Sequence, residues 1–224
     1  AFASPEEVRM AYEQGVVSLH ARIKVRLNGQ LIETTPGRIF FNEVLPPELG
    51  FVNREVDRGE LGRLVDRLYR KFGTTRTAEV LDEIKRIGFH YATRSGTTVA
   101  VGDIQIPPQK REIMEEAERQ VAVVEQQHRR GLLTSEERYQ RICEIWTKAK
   151  EEITRAMMAN LDRFNPVYMM ATSGARGNVQ QLSQLAGMRG LVADPTGRTI
   201  EIPIKANFRE GLTVLEYFIS THGT

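Results

Sequence analysis

Between Thr134 and Ala156 an apolar or aromatic side chain recurs every three or four residues. Tyr139, Ile142, Trp146, Ala149, Ile153 and Ala156 are spaced 3, 4, 3, 4 and 3. No other pattern in the chain restricts the fold so tightly. The spacing holds all six on one narrow stripe of an α-helix, and such a stripe is buried best against a second helix. The preceding segment supplies one: from Pro108 to about Arg129 it carries Ile113, Ala117, Val121 and Val124 on its own stripe. "RRGLLT" interrupts the pattern at Gly131, and Thr134 with Glu137 forms a capping box for the second helix. The sequence therefore predicts a long antiparallel coiled-coil hairpin, with charges of both signs on its outer faces, projecting into solvent. Trp146 lies in the seam and reads as core rather than as a platform for stacked bases.

The rest of the chain reads as shorter elements. "SPEEVRMAYEQG" predicts a helix capped by Ser4, with Glu7 completing a capping box, opened by Pro5 and stopped at Gly15. "HARIKVRLNGQLIETT" alternates apolar and charged residues around Asn28-Gly29, a hairpin signal because both turn positions tolerate positive φ. "GRIFFNEVLP" reads as a further strand ending at Pro46, and "GTTVAVGDIQIP" as a short extended return. Two helices are predicted near Glu60–Phe72 and Thr77–Gly88, and another in "NVQQLSQLAGMRG". A turn falls at Asp194-Pro195-Thr196-Gly197, followed by the brief extended piece "RTIEIPI". From Asn207, the apolar spacing of Phe208, Leu212, Leu215, Phe218 and Ile219 predicts a last helix. That helix runs to the final residues, which reads as a piece of something longer. The fold class is α+β, mostly helical, with a small β element near residues 20–45.

Composition excludes more than it proposes. A net charge of +2 over 224 residues is too small to argue nucleic-acid binding from bulk electrostatics. The single Cys143 excludes an internal disulfide and fits a reducing compartment; it reads as a packing or surface residue rather than a nucleophile. No apolar run approaches the roughly 20 residues of a membrane span, and the N-terminal residues lack a secretory pattern. The expected setting is cytoplasmic. The four histidines are scattered, with no His-x-x-x-His or Cys-x-x-Cys pair, so a zinc site is not expected. A phosphate-binding P-loop, a dinucleotide fingerprint and an Asp-x-Asp pair are all missing from the sequence.

One stretch carries possible chemistry. "SGARGNVQQLSQLAGMRG" places Arg176 and Arg189 in matching Ala/Met-Arg-Gly triplets. Either the glycines simply permit tight turns while the arginines cap helices or pair with carboxylates, or the site binds an anion. In the second case Gly174 and Gly177 keep the backbone open, a helix beginning near Asn178 aims N–H groups at the ligand, and Arg176 adds a two-pronged contact to phosphate. The spacing alone leaves both readings open.

The stretch "YMMATSGARGNVQQLSQLAGMRGLVADPTGRTIEIPIKANFREGLTVLEYFISTHG", together with "GLLTSEERYQRICEIW", "GDIQIP" and "TTPGRIFFNEVLP", closely resembles the β′ (largest) subunit family of bacterial DNA-directed RNA polymerase. The likeness covers nearly the whole chain. It implies three parts: 1–104 resembles the pore region, 105–162 the hairpin at the rim of the secondary channel through which nucleotides enter, and 163–224 the F-loop region and the start of the bridge helix. Arg176 matches the family arginine that reaches the triphosphate of the incoming nucleotide. Met188, Arg189, Gly190, Asp194 and Gly197 match the F-loop, with Arg189 assigned to loop architecture more than to ligand. Gln127, His128, Arg129, Arg130 and Thr134 match the hairpin tip, where Gre-type transcript-cleavage factors dock. Phe208, Gly211, Leu215, Phe218 and His222 match the bridge helix. Met169 and Met170 fall on the channel wall or in the core.

The resemblance also implies the remaining partners: the polymerase β, α and ω subunits, the DNA template and RNA, and ribonucleoside triphosphates. A membrane is not among them, and the location would be the bacterial cytoplasm, at the nucleoid. The family's aspartate-rich magnesium loop and zinc-binding cysteines are not in this sequence. The chain is therefore expected to lack nucleotidyl transfer by itself and to hold no cofactor, although the intact subunit uses magnesium and zinc. Two other readings stand beside this one: a stand-alone interaction module in which only the hairpin works, and an independent phosphate-binding enzyme.

Overall fold

In the computed structural model, which describes residues 1–221, the chain forms two compact units, Ala1–Thr97 and Thr98–Thr224. The first unit opens as its sequence predicts. Helix α1 (Pro5–Glu13) starts at Ser4, whose hydroxyl accepts from the Glu7 amide at 3.4 Å. The Glu7 carboxylate accepts from the Ala3 amide, one residue before the position a capping box would use. Strands β1 (Ile23–Leu27) and β2 (Gln30–Thr34) pair antiparallel across Asn28 (φ 50°) and Gly29 (φ 82°), the two positive angles such a tight hairpin needs. Ile23 and Val25 face inward while Lys24 and Arg26 face out. Phe2 extends the sheet with a single parallel bridge to Val25.

The expected third strand is a helix. Helix α2 (Pro36–Glu43) is started by Thr35, whose hydroxyl accepts from the Arg38 amide, with Pro36 at its first position. An apolar run of three suits a strand or a helix equally, and the Thr-Pro pair before it settles the matter. As a helix the run serves two cores. Ile39 and Phe40 pack with Val8, Ile23 and Val25, and Phe41 packs with Leu45, Leu64, Leu68 and Val80. Phe40 stacks on Tyr91 with centroids 6.0 Å apart and meets Tyr12 edge-on at 5.4 Å. Helix α3 (Arg58–Ser95) is broken at Gly73, where φ is 73° and ψ is −177°. Two helices were expected here and two helical stretches exist; the second runs on to Gly96, which closes it in the left-handed region.

In the second unit the expected extended return before Pro107 is instead irregular apart from one 3₁₀ turn, Val101–Asp103. Then come α4 (Lys110–Arg129) and α5 (Ser135–Asn160), the predicted hairpin. Thr134 and Glu137 form the reciprocal capping box, at 3.2 and 2.8 Å. The seam contains Met114, Ala117 and Val124 against Ile142, Trp146, Ala149 and Ile153. It departs from the expected stripe at its end. Met157, not Ala156, is buried, because past Ile153 the helix turns its face to a second cluster with Leu161, Leu182 and Ala186. Three short helices follow: α6 (Pro166–Ser173), α7 (Val179–Ala186) and α8 (Val214–Thr221).

Helix α8 begins later than the periodicity predicts. Phe208 and Gly211 precede it, Gly211 stands at φ 85°, and Thr213 with Glu216 supplies the cap. A proline at Gly211 would thus alter a turn rather than break a helix. The architecture is mostly helical α+β, with the two named strands lying within residues 23–34.

Trp146 is 4% exposed in the hairpin seam. Trp146→Ala should destabilise the second unit by about 3–5 kcal/mol, whereas Thr35→Ala should cost the first about 1 kcal/mol. Amide exchange over each unit separates the two effects.

Candidate functional site

Helix α6 is opened by Asn165. This buried residue accepts from the Val167 and Tyr168 amides (3.0 and 3.3 Å) and donates to the Asp103 carbonyl at 2.8 Å. Met169 and Met170 lie half-buried on the helix. Gly174 ends it at φ 75°, and the Arg176 amide donates back to the Met170 carbonyl at 3.3 Å. Gly177 turns the chain again at φ 72°, and Asn178 caps α7 through the Gln181 amide at 2.8 Å. Arg176 thus rides on a loop between two left-handed glycines, two residues before a helix cap. Its side chain is exposed and makes no hydrogen bond or ion pair among the described residues.

The arginine of the other triplet is placed differently. Arg189 is half-buried, its guanidinium lies 5.4 Å from the Phe208 ring centroid, and it reaches the Ser220 carbonyl at 3.5 Å. Met188 is fully buried in the hairpin core. Gly190 exchanges two backbone hydrogen bonds with Ile204, at 2.9 and 3.0 Å. At φ 87° it passes so close to Lys150 that a Cβ would sit 2.7 Å from Cδ. From there the chain runs out and back as a narrow loop. Its far end is the predicted turn, where Asp194 accepts from the Thr196 hydroxyl (2.6 Å) and from the Thr196 and Arg198 amides (2.8 and 3.0 Å), and Gly197 adopts φ 88°. The Thr196 hydroxyl, foremost, holds the Asp194 carboxyl below its ordinary range.

At the hairpin tip Gln127 accepts from Arg141 at 3.2 Å and the His128 ring lies 3.4 Å from the Ser135 hydroxyl. Thr134 is the helix cap, and Arg129 and Arg130 are exposed with no side-chain partner among the described residues. Phe208, Leu215 and Phe218 are 46%, 61% and 64% exposed. His222 lies outside the described residues. The structure therefore joins Arg189 to Phe208 and Met188 to the hairpin, while Arg176 makes no hydrogen bond to the loop that holds them.

Four anchoring residues escaped the sequence reading. Asn207 is fully buried and donates to the Ala186 and Gly187 carbonyls, both at 3.1 Å, satisfying the end of α7. Glu216 accepts from the Lys205 and Ala206 amides (2.9 and 3.0 Å) and from the amide and hydroxyl of Thr213 (3.0 and 2.9 Å). Lys205 stands 2.6 Å from Glu118 and 5.4 Å from the Trp146 ring centroid, and Lys110 pairs with Glu210. The only one of these with a sequence signal is the Thr213-x-x-Glu216 spacing of a capping box. The other partners are far apart in sequence.

Metal-binding groups are not assembled here: among the described residues no three His, Cys, Asp or Glu side chains form a set that suits an ion. The side chains of the described residues thus do not fit the magnesium or zinc implied by the resemblance. No helix among the described residues is long and apolar enough to cross a membrane.

Comparison with known proteins gives this geometry its setting. Residues 1–104 match the family model described as RNA polymerase Rpb1, domain 3, and residues 133–209 the one described as RNA polymerase Rpb1, domain 4. Both place the chain in the class of large RNA polymerase subunits. The whole chain is 61% identical to the DNA-directed RNA polymerase subunit beta′ of Pelotomaculum thermopropionicum, 58% to that of Desulforudis audaxviator, and 56% to that of Moorella thermoacetica. It spans 19% of each relative, about a fifth of its length. The chain belongs to the family of the bacterial RNA polymerase β′ subunit.

Burial opposes ionisation of Glu216, but the hydrogen bonds from Thr213, Ala206 and Lys205 outweigh it and pull its pKa below the ordinary 4.5. The stability this carboxylate contributes is therefore complete above that ordinary value and is lost as pH falls through the lowered one. Glu216→Gln should cost about 2 kcal/mol at neutral pH and should remove the acid-side loss. Exchange at the Lys205, Ala206 and Thr213 amides, corrected for intrinsic rates, measures both.

Proposed function

We propose that the chain is a working part of a DNA-directed RNA polymerase β′ subunit, engaged in transcription, and that its second unit meets the incoming nucleotide. The observation that carries this is the state of Arg176. An unpaired, exposed guanidinium on a glycine-bracketed loop keeps its full charge available for a polyanion. On this reading Arg176 contacts the triphosphate and orients it. The RNA 3′ hydroxyl attacks the α-phosphate and pyrophosphate leaves, and the guanidinium offsets charge gathering on the departing oxygens. Family membership supports the same assignment.

The three-part layout 1–104, 105–162 and 163–224 is proposed with it. The first part would serve as the pore region, the hairpin as the rim of the channel through which nucleotides enter, and the third part as the F-loop and the start of the bridge helix. Partners would be the β, α and ω subunits, template DNA, RNA and Gre-type factors, in the bacterial cytoplasm at the nucleoid. Magnesium and zinc would be held elsewhere in the assembly, and the isolated chain would be catalytically silent.

A second reading, that the hairpin alone acts as a docking module, is favoured by the unpaired Arg129 and Arg130 at its tip. Both roles can coexist, and they separate by experiment. In reconstituted polymerase, Arg176→Ala should raise the apparent nucleotide KM about tenfold with a smaller effect on kcat; unchanged constants would refute the contact. Reversing Arg129 and Arg130 to glutamate should weaken binding of a cleavage factor while leaving the nucleotide KM as it was.

A further inference from the structure

One buried-edge cation has no part in the roles assigned above. Arg138 stands one helical turn into α5 from the hairpin tip, with its side chain 20% exposed. Its Nη1 donates to Glu125 on α4 at 2.5 Å, and its Nη2 donates to both carboxylate oxygens of Glu201 at 2.8 Å. The next residue acts on the same stretch of chain. The Tyr139 hydroxyl donates to the Thr199 carbonyl at 2.9 Å, and the Arg198 guanidinium lies 4.8 Å from the Tyr139 ring centroid. Residues 198–201 are the returning limb of the narrow loop, directly after the Asp194–Gly197 turn.

A fully exposed ion pair in that place would hold little. This one is different in two respects. Glu125 and Glu201 are themselves only 34% and 35% exposed, and one planar guanidinium serves both carboxylates, which an ammonium cannot match in geometry. Glu201, and after it Glu125, raises the Arg138 pKa above its ordinary value, so the cation is permanent. Beyond the turn the loop also meets the hairpin through Thr199 and Arg198 at Tyr139 and through Lys205 at Glu118 and Trp146, but Arg138 is the contact nearest the turn that joins it to both helices. The loop's two limbs bond each other through Gly190 and Ile204 at the base and through Val192 and Ile200 near the middle, but those bonds define the shape of the loop, not its seat on the hairpin.

We infer that Arg138 is a positioning residue, which holds the Asp194–Gly197 turn in place by anchoring its returning limb to α5 through Glu201. It touches no substrate and acts only through the loop. Its consequence for catalysis rests on the proposed reading of that loop as the F-loop, while its anchoring role does not.

The test uses reconstituted polymerase carrying Arg138→Ala, Arg138→Lys, Glu125→Gln, or Arg138→Ala with Glu201→Gln, read by amide exchange over residues 190–204 and by the rate of single-nucleotide addition. Arg138→Ala should raise exchange over the loop about tenfold, the loss expected for hydrogen bonds between charged groups, and should slow nucleotide addition. Arg138→Lys should recover part of both. The double variant should be no worse than Arg138→Ala, because both changes remove the same link. Glu125→Gln should leave loop exchange within about twofold of wild type, because the Glu201 contact survives. Unchanged loop exchange in Arg138→Ala overturns the anchoring role, and so does a Glu125→Gln variant as loose as Arg138→Ala, which would mean general weakening of the hairpin. Raised exchange with wild-type nucleotide addition upholds the anchor and overturns instead the reading of the loop as part of the catalytic surroundings.

Discussion

The pairing of α4 with α5 is the constraint on which the second unit depends. Trp146, Ile142, Ala149 and Ile153 need a continuous apolar partner, and Met114, Ala117 and Val124 provide it. Burial of that seam makes the hairpin a rigid rod to which later segments attach. Met188 inserts into the same core, Lys150 fills the space that a side chain on Gly190 would need, and Lys205 lies over Trp146. The loop after α7 is thus shaped against the hairpin from its first residue.

What the seam begins, a small set of polar residues completes. Backbone hydrogen bonds join the two limbs of the loop between α7 and α8, and side chains fix what those bonds leave over: Asn207 closes α7, Glu216 binds three amides, and Arg138 binds the returning limb. Each is a case of a polar group tolerated away from water because its hydrogen bonds are made. The contrast between the two arginine triplets follows from the same logic. Arg189 is committed to an aromatic ring and a carbonyl, whereas Arg176 is left uncommitted. Permissive glycine accompanies both, and only the surroundings distinguish an architectural arginine from one open to a ligand.

Local signals were read well where a cap or turn met no rival signal. Ser4 with Pro5, Asn28-Gly29, and Thr134 with Glu137 each named its element because the cap or turn is built from neighbours. Errors arose where two local signals competed. In "TTPGRIFFNE" the apolar run outweighed the Thr-Pro cap in the reading, but the cap prevails in the structure because Ile39, Phe40 and Phe41 can serve two cores only as a helix. Likewise Phe208 fits the period of α8, yet Asn207 is held by α7 and Gly211 is left-handed, so the helix starts at Val214, after its cap Thr213. Of the candidate site, the arginine and its glycines were visible in the string, but whether the guanidinium was free was not.

The sequence by itself determined the hairpin, the capped helices, the tight β-turn, the Asp194–Gly197 turn and the family to which the chain belongs. Each depends on spacing or on an extended run of residues that the string displays directly. Only the tertiary structure decided which arginine is spent internally, where α8 begins, and what holds the loop against the rod. Those outcomes rest on partners as far apart as Arg138 and Glu201 or Lys205 and Glu118, which folding alone brings within hydrogen-bond reach.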